Sequence, residues 1–385
     1  MSKRNSGLER RAWTSCVWLS LLTAVAHAQP APPPRWIGSV DLTIGGETAA
    51  EGADFGRISG LALNATGQMF VADIQDSQVR MFSTSGALVN RIGRSGSGPV
   101  EYKRLATISI GPDRLLWVRD EGNNRMLALD VTKSPAVNVK TVPLKQMTGG
   151  SMLPITFEAN GDLVDETIWF DPTQKTFRPL RLRLTQKGDV ARVDTLVAPD
   201  EALAAMHKIV KMEKGADGKV SGMSERYFSQ PFGPRWLRAL GPNGVRADAV
   251  GSHYAIRILD NTGKLIRTLS RSVAPVALSA AEHKRADSTI KAAQAELPFG
   301  VPSAKPVIVA MRYGLDGALW VERSMPDGAP READVYDASG RWIAIAQWPR
   351  AIDALSDISV ISGKMFIAKA YGDADLERVV RVRFR

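Results

Sequence analysis

The chain of 385 residues holds a single cysteine, Cys16, close to its N-terminus. From residue 29 onward there is no thiol, which excludes a disulfide framework, a Cys-ligated zinc and a cysteine nucleophile in that part. Histidine is scarce as well, with four in the chain. His207, His253 and His283 stand far apart, and none has the i, i+4 partner of a helical zinc pair. No Gly-x-Ser-x-Gly elbow follows residue 28, which disfavours a triad hydrolase. The glycine-rich run from Gly93 to Gly98 lacks the following helix that a phosphate cradle needs. The apolar stretch at residues 12–26 is shorter than the roughly 20 residues a spanning helix requires.

That stretch has another reading. Lys3, Arg4, Arg10 and Arg11 precede it, and Ala26-His27-Ala28 follows as a small-x-small site. These are the three parts of a secretory signal over residues 1–28, so the protein is expected to be exported to the periplasm or the outside. Residues 29–34, Gln-Pro-Ala-Pro-Pro-Pro, form an extended spacer. The formal charge is +10, and the first 28 residues carry four bases against one acid, leaving +7 beyond them. The excess is dispersed, which disfavours nucleic acid and leaves acidic glycans or anionic headgroups as suitable partners. No membrane span is expected after residue 28, and a monomer is expected.

What the chain has in abundance is repetition. A strand, a tight turn and a second apolar strand recur around Gly67, Asp113, Gly161, Gly244, Gly317 and Gly363. These positions are separated by 46, 48, 83, 73 and 46 residues. Four repeats carry a second turn: Ser83-Thr84-Ser85-Gly86, Thr185-Gln186-Lys187-Gly188, Asp260-Asn261-Thr262-Gly263 and Asp337-Ala338-Ser339-Gly340. Four strands in about 46 residues make a propeller blade. The predicted fold is an all-β propeller of six four-stranded blades, at about 57–93, 105–144, 153–196, 235–271, 307–348 and 357–385. The last repeat has only three strands, and residues 35–43 are expected to supply the fourth and close the ring, removing open sheet edges. Arg381, Arg383 and Arg385 alternate with apolar residues on the final strand, with Asp41 as an acidic neighbour for them.

The two long intervals hold insertions, at about 198–230 and 276–304. In the first, Asp200 is expected to cap a helix towards Lys214, with Leu203, Met206, Ile209 and Val210 on one stripe. In the second, Ser279-Ala280-Ala281-Glu282 reads as a capping box opening a helix to about Leu297.

Residues 55–130 resemble NHL-repeat propellers, within the TolB-like six-bladed class. Gly67, Val71 and Asp73 match the family pattern in the first blade; Val118, Asp120, Asn123 or Asn124, Arg125 and Met126 match it in the second. The run from Gly93 to Tyr102 resembles the family's link between blades. The resemblance implies a six-bladed fold for the chain beyond residue 28. It leaves function open, since the family includes binding scaffolds and a few enzymes. Related lactonases bind a metal near the axis, which implies a metal-dependent hydrolase or a lyase as an alternative activity.

Two sets of residues stand out. Asp73, Asp120, Asp165, Glu166, Asp248 and Glu322 close the second strands and are expected to form a rough acidic ring. Such carboxylates either accept backbone hydrogen bonds of the next turn or hold Ca²⁺ or another divalent cation. Lys369 at the sixth position opposes the second use. Trp169, Phe170, Tyr227, Phe228 and Phe232 fall in segments without repeat pattern and are candidates for a ligand-facing patch. The preferred reading is a binding scaffold for an extracytoplasmic protein, peptide or glycan, acting through the loop face that carries the insertions.

Overall fold

The structure, a computed structural model, describes residues 32–46, 52–144, 155–171, 176–214, 220–293, 297–356, 358–372 and 375–385, with the side chains at 168–177 and 210–225 outside the description. The predicted signal at 1–28 lies outside the described residues. Among the described residues, no helix is long and apolar enough to cross a membrane.

Turn chemistry sets the blades. Gly67, Gly161, Gly244, Gly317 and Gly363 all take positive φ, and in the second blade Arg114 occupies that left-handed position instead. Two residues after each begins a second strand, at Met69, Leu116, Leu163, Arg246, Leu319 and Met365. The other hairpin is fixed by side chains. Ser83, Thr185, Asp260 and Asp337 each accept the backbone N–H groups two and four residues on, which replaces part of the turn's own bonding.

The strands follow in chain order. After β1 (Arg35–Gly45), blade one is β2 (Ile58–Leu63), β3 (Met69–Asp73), β4 (Gln78–Phe82) and β5 (Leu88–Ile92). Blade two is β6 (Leu105–Ile110), β7 (Leu116–Asp120), β8 (Arg125–Asp130) and β9 (Val137–Pro143). Blade three is β10 (Thr156–Phe157), β11 (Leu163–Asp171), β12 (Thr176–Leu184) and β13 (Val190–Thr195). The first insertion holds α1 (Asp200–Ala204) and a hairpin of β14 (Met206–Lys214) and β15 (Val220–Ser229). Blade four is β16 (Trp236–Leu240), β17 (Arg246–Val250), β18 (Ala255–Leu259) and β19 (Leu265–Ser270), followed by α2 (Ala280–Ala292). Blade five is β20 (Ile308–Tyr313), β21 (Leu319–Arg323), β22 (Arg331–Tyr336) and β23 (Trp342–Trp348). Blade six is β24 (Val360–Ser362), β25 (Met365–Tyr371) and β26 (Glu377–Phe384). The fold is a six-bladed β-propeller.

β1 closes the ring. Its residues Gly38 to Gly45 run antiparallel to β26 as the fourth strand of blade six. Its first three residues run parallel to β23, so blades five and six share one eight-stranded sheet. Trp320, fully buried, stands at that junction with ring centroids 6.3 Å from Trp36, 6.5 Å from Trp348 and 5.3 Å from Phe384.

Neighbouring blades meet through apolar clusters, with one exception among the described residues. Clusters join blades one and two, two and three, four and five, five and six, and six and one. Between blades three and four the contact is polar. Arg238 binds Glu166, Arg181 donates to the Gly244 carbonyl, and Arg183 to that of Asn261 at 3.0 Å. Thr156 donates to Gly241 across the same seam at 3.1 Å.

The first insertion departs from expectation. The helix stops at Ala204, and Asp200 is its first residue rather than its cap, the cap position being Pro199. Where a helix to Lys214 was predicted, Met206–Lys214 pairs as a strand with Val220–Ser229. The apolar stripe has helical spacing, but Ile209-Val210 are β-branched residues that favour the extended form. The second insertion keeps its capping box, with Ser279 Oγ accepting from Glu282 N at 3.2 Å and Glu282 Oε2 from Ser279 N at 2.9 Å. Lys305 pairs with Glu282 at 2.5 Å and Ser279 bonds Asp327 at 3.1 Å, which fastens α2 to blade five.

Candidate functional site

The six predicted acids do not form a ring. Counted from the turn, Asp73 and Asp120 are the fifth residues of their second strands. Glu166 and Glu322 are fourth, whereas Asp165 and Asp248 are third. Successive side chains on a strand point to opposite faces, so the fourth-position acids face one neighbouring blade and the others face the blade on the opposite side. The expectation of equivalent positions fails because the acids fall at different distances from the turn even on second strands of equal length, five residues each in blades one, two, four and five.

Each acid has work inside the fold. Asp73 accepts the N–H groups of Gly56, Arg57 and Gln75 at 2.9, 3.1 and 3.1 Å. Asp120 accepts those of Lys103 and Arg104 at 3.0 and 3.2 Å, and Asn123 Nδ2 at 2.6 Å. Both thereby tie the entry of an inner strand to the turn beside it. Asp165 holds Arg119 of the preceding blade, with 3.0 Å to Nη1. Glu166 holds Arg238, and Asp248 holds Arg246 at 2.9 Å. Burial pushes Glu166 and Asp248 above the usual carboxylate range despite these arginines. Lys369 pairs with Glu377. Among the described residues, no three His, Cys, Asp or Glu side chains gather as a metal site needs.

The aromatic candidates separate too. Trp169 and Phe170 sit on β11 opposite Arg178 and Phe177, and their side chains lie outside the described residues. Tyr227 and Phe228 are on β15, where Tyr227 is 48 % exposed with the Lys208 ammonium 5.8 Å from its ring. Phe232 is half-buried in the turn beyond, at a φ of 58°.

Two spaces adjoin β16, one at each end. A cavity of about 540 Å³ is lined by the ends of the inner strands, among them Leu63, Ile110, Phe157, Leu240, Tyr313 and Ile361. At the other end of β16 a cleft of about 700 Å³ opens between the first insertion and blades four and five. Ala202, Ala205, Met206 and Ser229 form its insertion wall; Arg235, Trp236, Arg238, Glu322, Arg331 and Asp353 form much of the rest. Arg238 lines both spaces. Both insertions run from an outer strand to the next inner strand, which puts them on the cleft's face.

Of the cleft's charged groups, only Glu322 was singled out by sequence. Its Oε1 accepts from Arg331 Nη1 at 2.8 Å, and the same nitrogen lies 3.2 Å from Asp353 Oδ1. Burial, reinforced by Asp353 and opposed by Arg331, raises Glu322 to about 7. Arg331, Asp353, Arg235 and Trp236 were missed. Glu322 itself is marked in the sequence as an acid in the fourth strand position, where blades one, four and six carry alanine, at Ala72, Ala249 and Ala368; the other four carry no such mark.

Comparison with known proteins adds the fold and little more. Residues 47–149 match a family model described as a 6-bladed beta-propeller. No curated protein sequence matches the chain. Among solved structures, it is similar to virginiamycin B lyase from Staphylococcus aureus at 12 % identity and a TM-score of 0.37, covering 85 % of this chain and 94 % of that one. The PQQ-bound aldose sugar dehydrogenase from Streptomyces coelicolor gives 14 %, 0.40, and coverage of 92 % and 100 %. The calcium-binding protein regucalcin from Agrobacterium tumefaciens gives 10 %, 0.40, and coverage of 91 % and 97 %.

Proposed function

We propose that this chain is an exported binding propeller that holds a protein, peptide or glycan in the cleft beneath its first insertion. The observation that carries the reading is the cleft itself: about 700 Å³, walled on one side by an added segment that the blade repeat does not need. Loops that decorate a rigid scaffold are where binding specificity is placed. The signal-like N-terminus supports export.

The hairpin can be removed cleanly. Gln230 N donates to the Ala205 carbonyl at 2.7 Å, so the ends of 206–229 already touch. Replacing 206–229 by two glycines should leave the melting temperature near that of the parent and abolish capture of ligands from a peptide and glycan panel. Retained capture would refute the assignment to this cleft. A metal-dependent hydrolase or lyase draws less support, because the acids are spread over three strand positions and engaged by arginines and backbone. A stoichiometric Ca²⁺ or Zn²⁺ in the purified protein, with a several-degree thermal shift on its addition, would favour that alternative.

A further inference from the structure

Blade four is apolar on one face only. Leu237, Ala239, Ala247, Ala249, Ile256 and Ile258 pack towards blade five. The residues that alternate with them, Arg238, Arg246, Asp248 and Arg257, lie on the face turned to blade three. Blade three has the same character. Leu180, Leu182 and Leu184 pack towards blade two, whereas Glu166, Arg181 and Arg183 reach blade four. Apolar–polar alternation of this kind belongs to a sheet with one face in water. Here two such faces meet inside a ring, with Glu166, Arg181 and Asp248 buried between them.

The two faces do not complete one another. Glu166 Oε1, Arg183 Nε, Arg246 Nε and Asp248 Oδ1 are buried without a hydrogen-bond partner among the described residues. Arg183 stands directly opposite Arg192 on β13, a like-charge pair. Burial, with the neighbouring Arg246 guanidinium, holds Arg181 below its ordinary value. Polar atoms left in this state gain by reaching water.

We infer that the ring parts and recloses at the seam between blades three and four, across the ring from its closure. Each blade keeps its own strand pairing while the two charged faces separate and hydrate. The other five seams would expose apolar clusters if they parted, which opposes their opening. Arg238 leaves Glu166 in the open form. Arg238 also lines both the cleft and the cavity at the inner-strand ends, so its release moves part of the wall that the two spaces share. The joint parts whether or not the cleft is a binding site.

Thiol labelling of the native full chain tests this, in a Cys16→Ala background that leaves no other thiol. Val164→Cys puts a thiol on the charged face of blade three, where Val164 is 2 % exposed and directly opposite Arg183. Val118→Cys and Val321→Cys put one in the apolar seams between blades one and two and between blades four and five, also at buried positions. Ala128→Cys puts one on blade two against blade three, where independent fraying of blade three would uncover it. With a small thiol reagent, Val164→Cys should react at least about tenfold faster than the other three, since local opening sets the rate at which a buried group is reached. Equal rates at all four thiols would overturn the inference. Fast reaction at Ala128→Cys alongside Val164→Cys would overturn it too, because blade three would then come loose on both sides.

Discussion

Arg381 grips Asp41 through two parallel hydrogen bonds, Nε to Oδ1 at 2.9 Å and Nη2 to Oδ2 at 3.0 Å. Its third nitrogen donates to the Thr84 carbonyl of blade one at 2.6 Å. One buried guanidinium therefore joins the closing strand, the last strand and the first blade. Burial works to raise the Asp41 carboxyl, but Arg381 and Arg383 outweigh it and hold it below the usual range. Asp41→Ala leaves Arg381 without its carboxylate and should cost about 2 kcal/mol in chemical denaturation. Deleting residues 35–43 should lower the melting temperature far more than deleting 29–34. Equal losses from the two deletions would contradict closure by β1.

A second ion pair permits a sharper test. Arg119 is fully buried between blades two and three and is held by Asp165. Asp165→Ala removes the nearer of Arg119's two acids, leaving Glu121 at 3.9 Å, and should cost about 3 kcal/mol, whereas Arg119→Met with Asp165→Leu should recover to within about 1 kcal/mol of the parent. Failure of the double variant to recover would mean that the pair does more than neutralise itself.

Stability should also depend on Glu322. Its folded-state value, about 7, lies above the ordinary 4.5. The folded chain thus holds the proton more tightly than the unfolded one, and the associated stability is fully present below about 4.5. It is lost as pH rises through about 7, by an amount on the order of 3 kcal/mol. Burial shifts Glu166 and Asp248 in the same direction, so they act in the same sense. Unfolding free energies between about pH 4.5 and 7.5 should fall less steeply in Glu322→Gln than in the parent. Parallel curves would remove Glu322 as the source.

The link between blades one and two depends on Gly93. Its φ is +89°, and a Cβ there would lie 2.1 Å from Cε2 of the fully buried Tyr102. Gly93→Ala should therefore destabilise by about 2 kcal/mol or more, with the strained φ and the clash adding. An unchanged denaturation midpoint would show that the link relaxes freely.

The blades were legible in the sequence because their turns need particular residues: a positive φ selects glycine, and side-chain capping selects Ser, Thr or Asp. Those demands recur at a fixed interval and survive divergence elsewhere. The pairing of Arg381 with Asp41 followed once the closing strand was in place. The hairpin of the first insertion was missed because Leu203, Met206, Ile209 and Val210 suit a helical stripe, although Gly215-Ala216-Asp217-Gly218 offered a turn signal between two alternating runs. The cleft was missed because it is made between blades. Arg235, Arg331 and Asp353 belong to three chain segments, and no spacing in the sequence relates them.

The closing strand sets an order of events. Each sheet from blade one to blade five can form from hairpins of neighbouring residues, and such local contacts form fast. The bond between Asp41 and Arg381 spans 340 positions. Residues 38–45 must therefore stay unpaired, and must avoid every other exposed sheet edge, until β26 exists to receive them. Until then blade six lacks its outer strand and the ring is an open arc with an unprotected edge. The lock is made from the first strand of the described fold and the last, so a chain that stops short of Arg381 would fold five sheets and never become a ring.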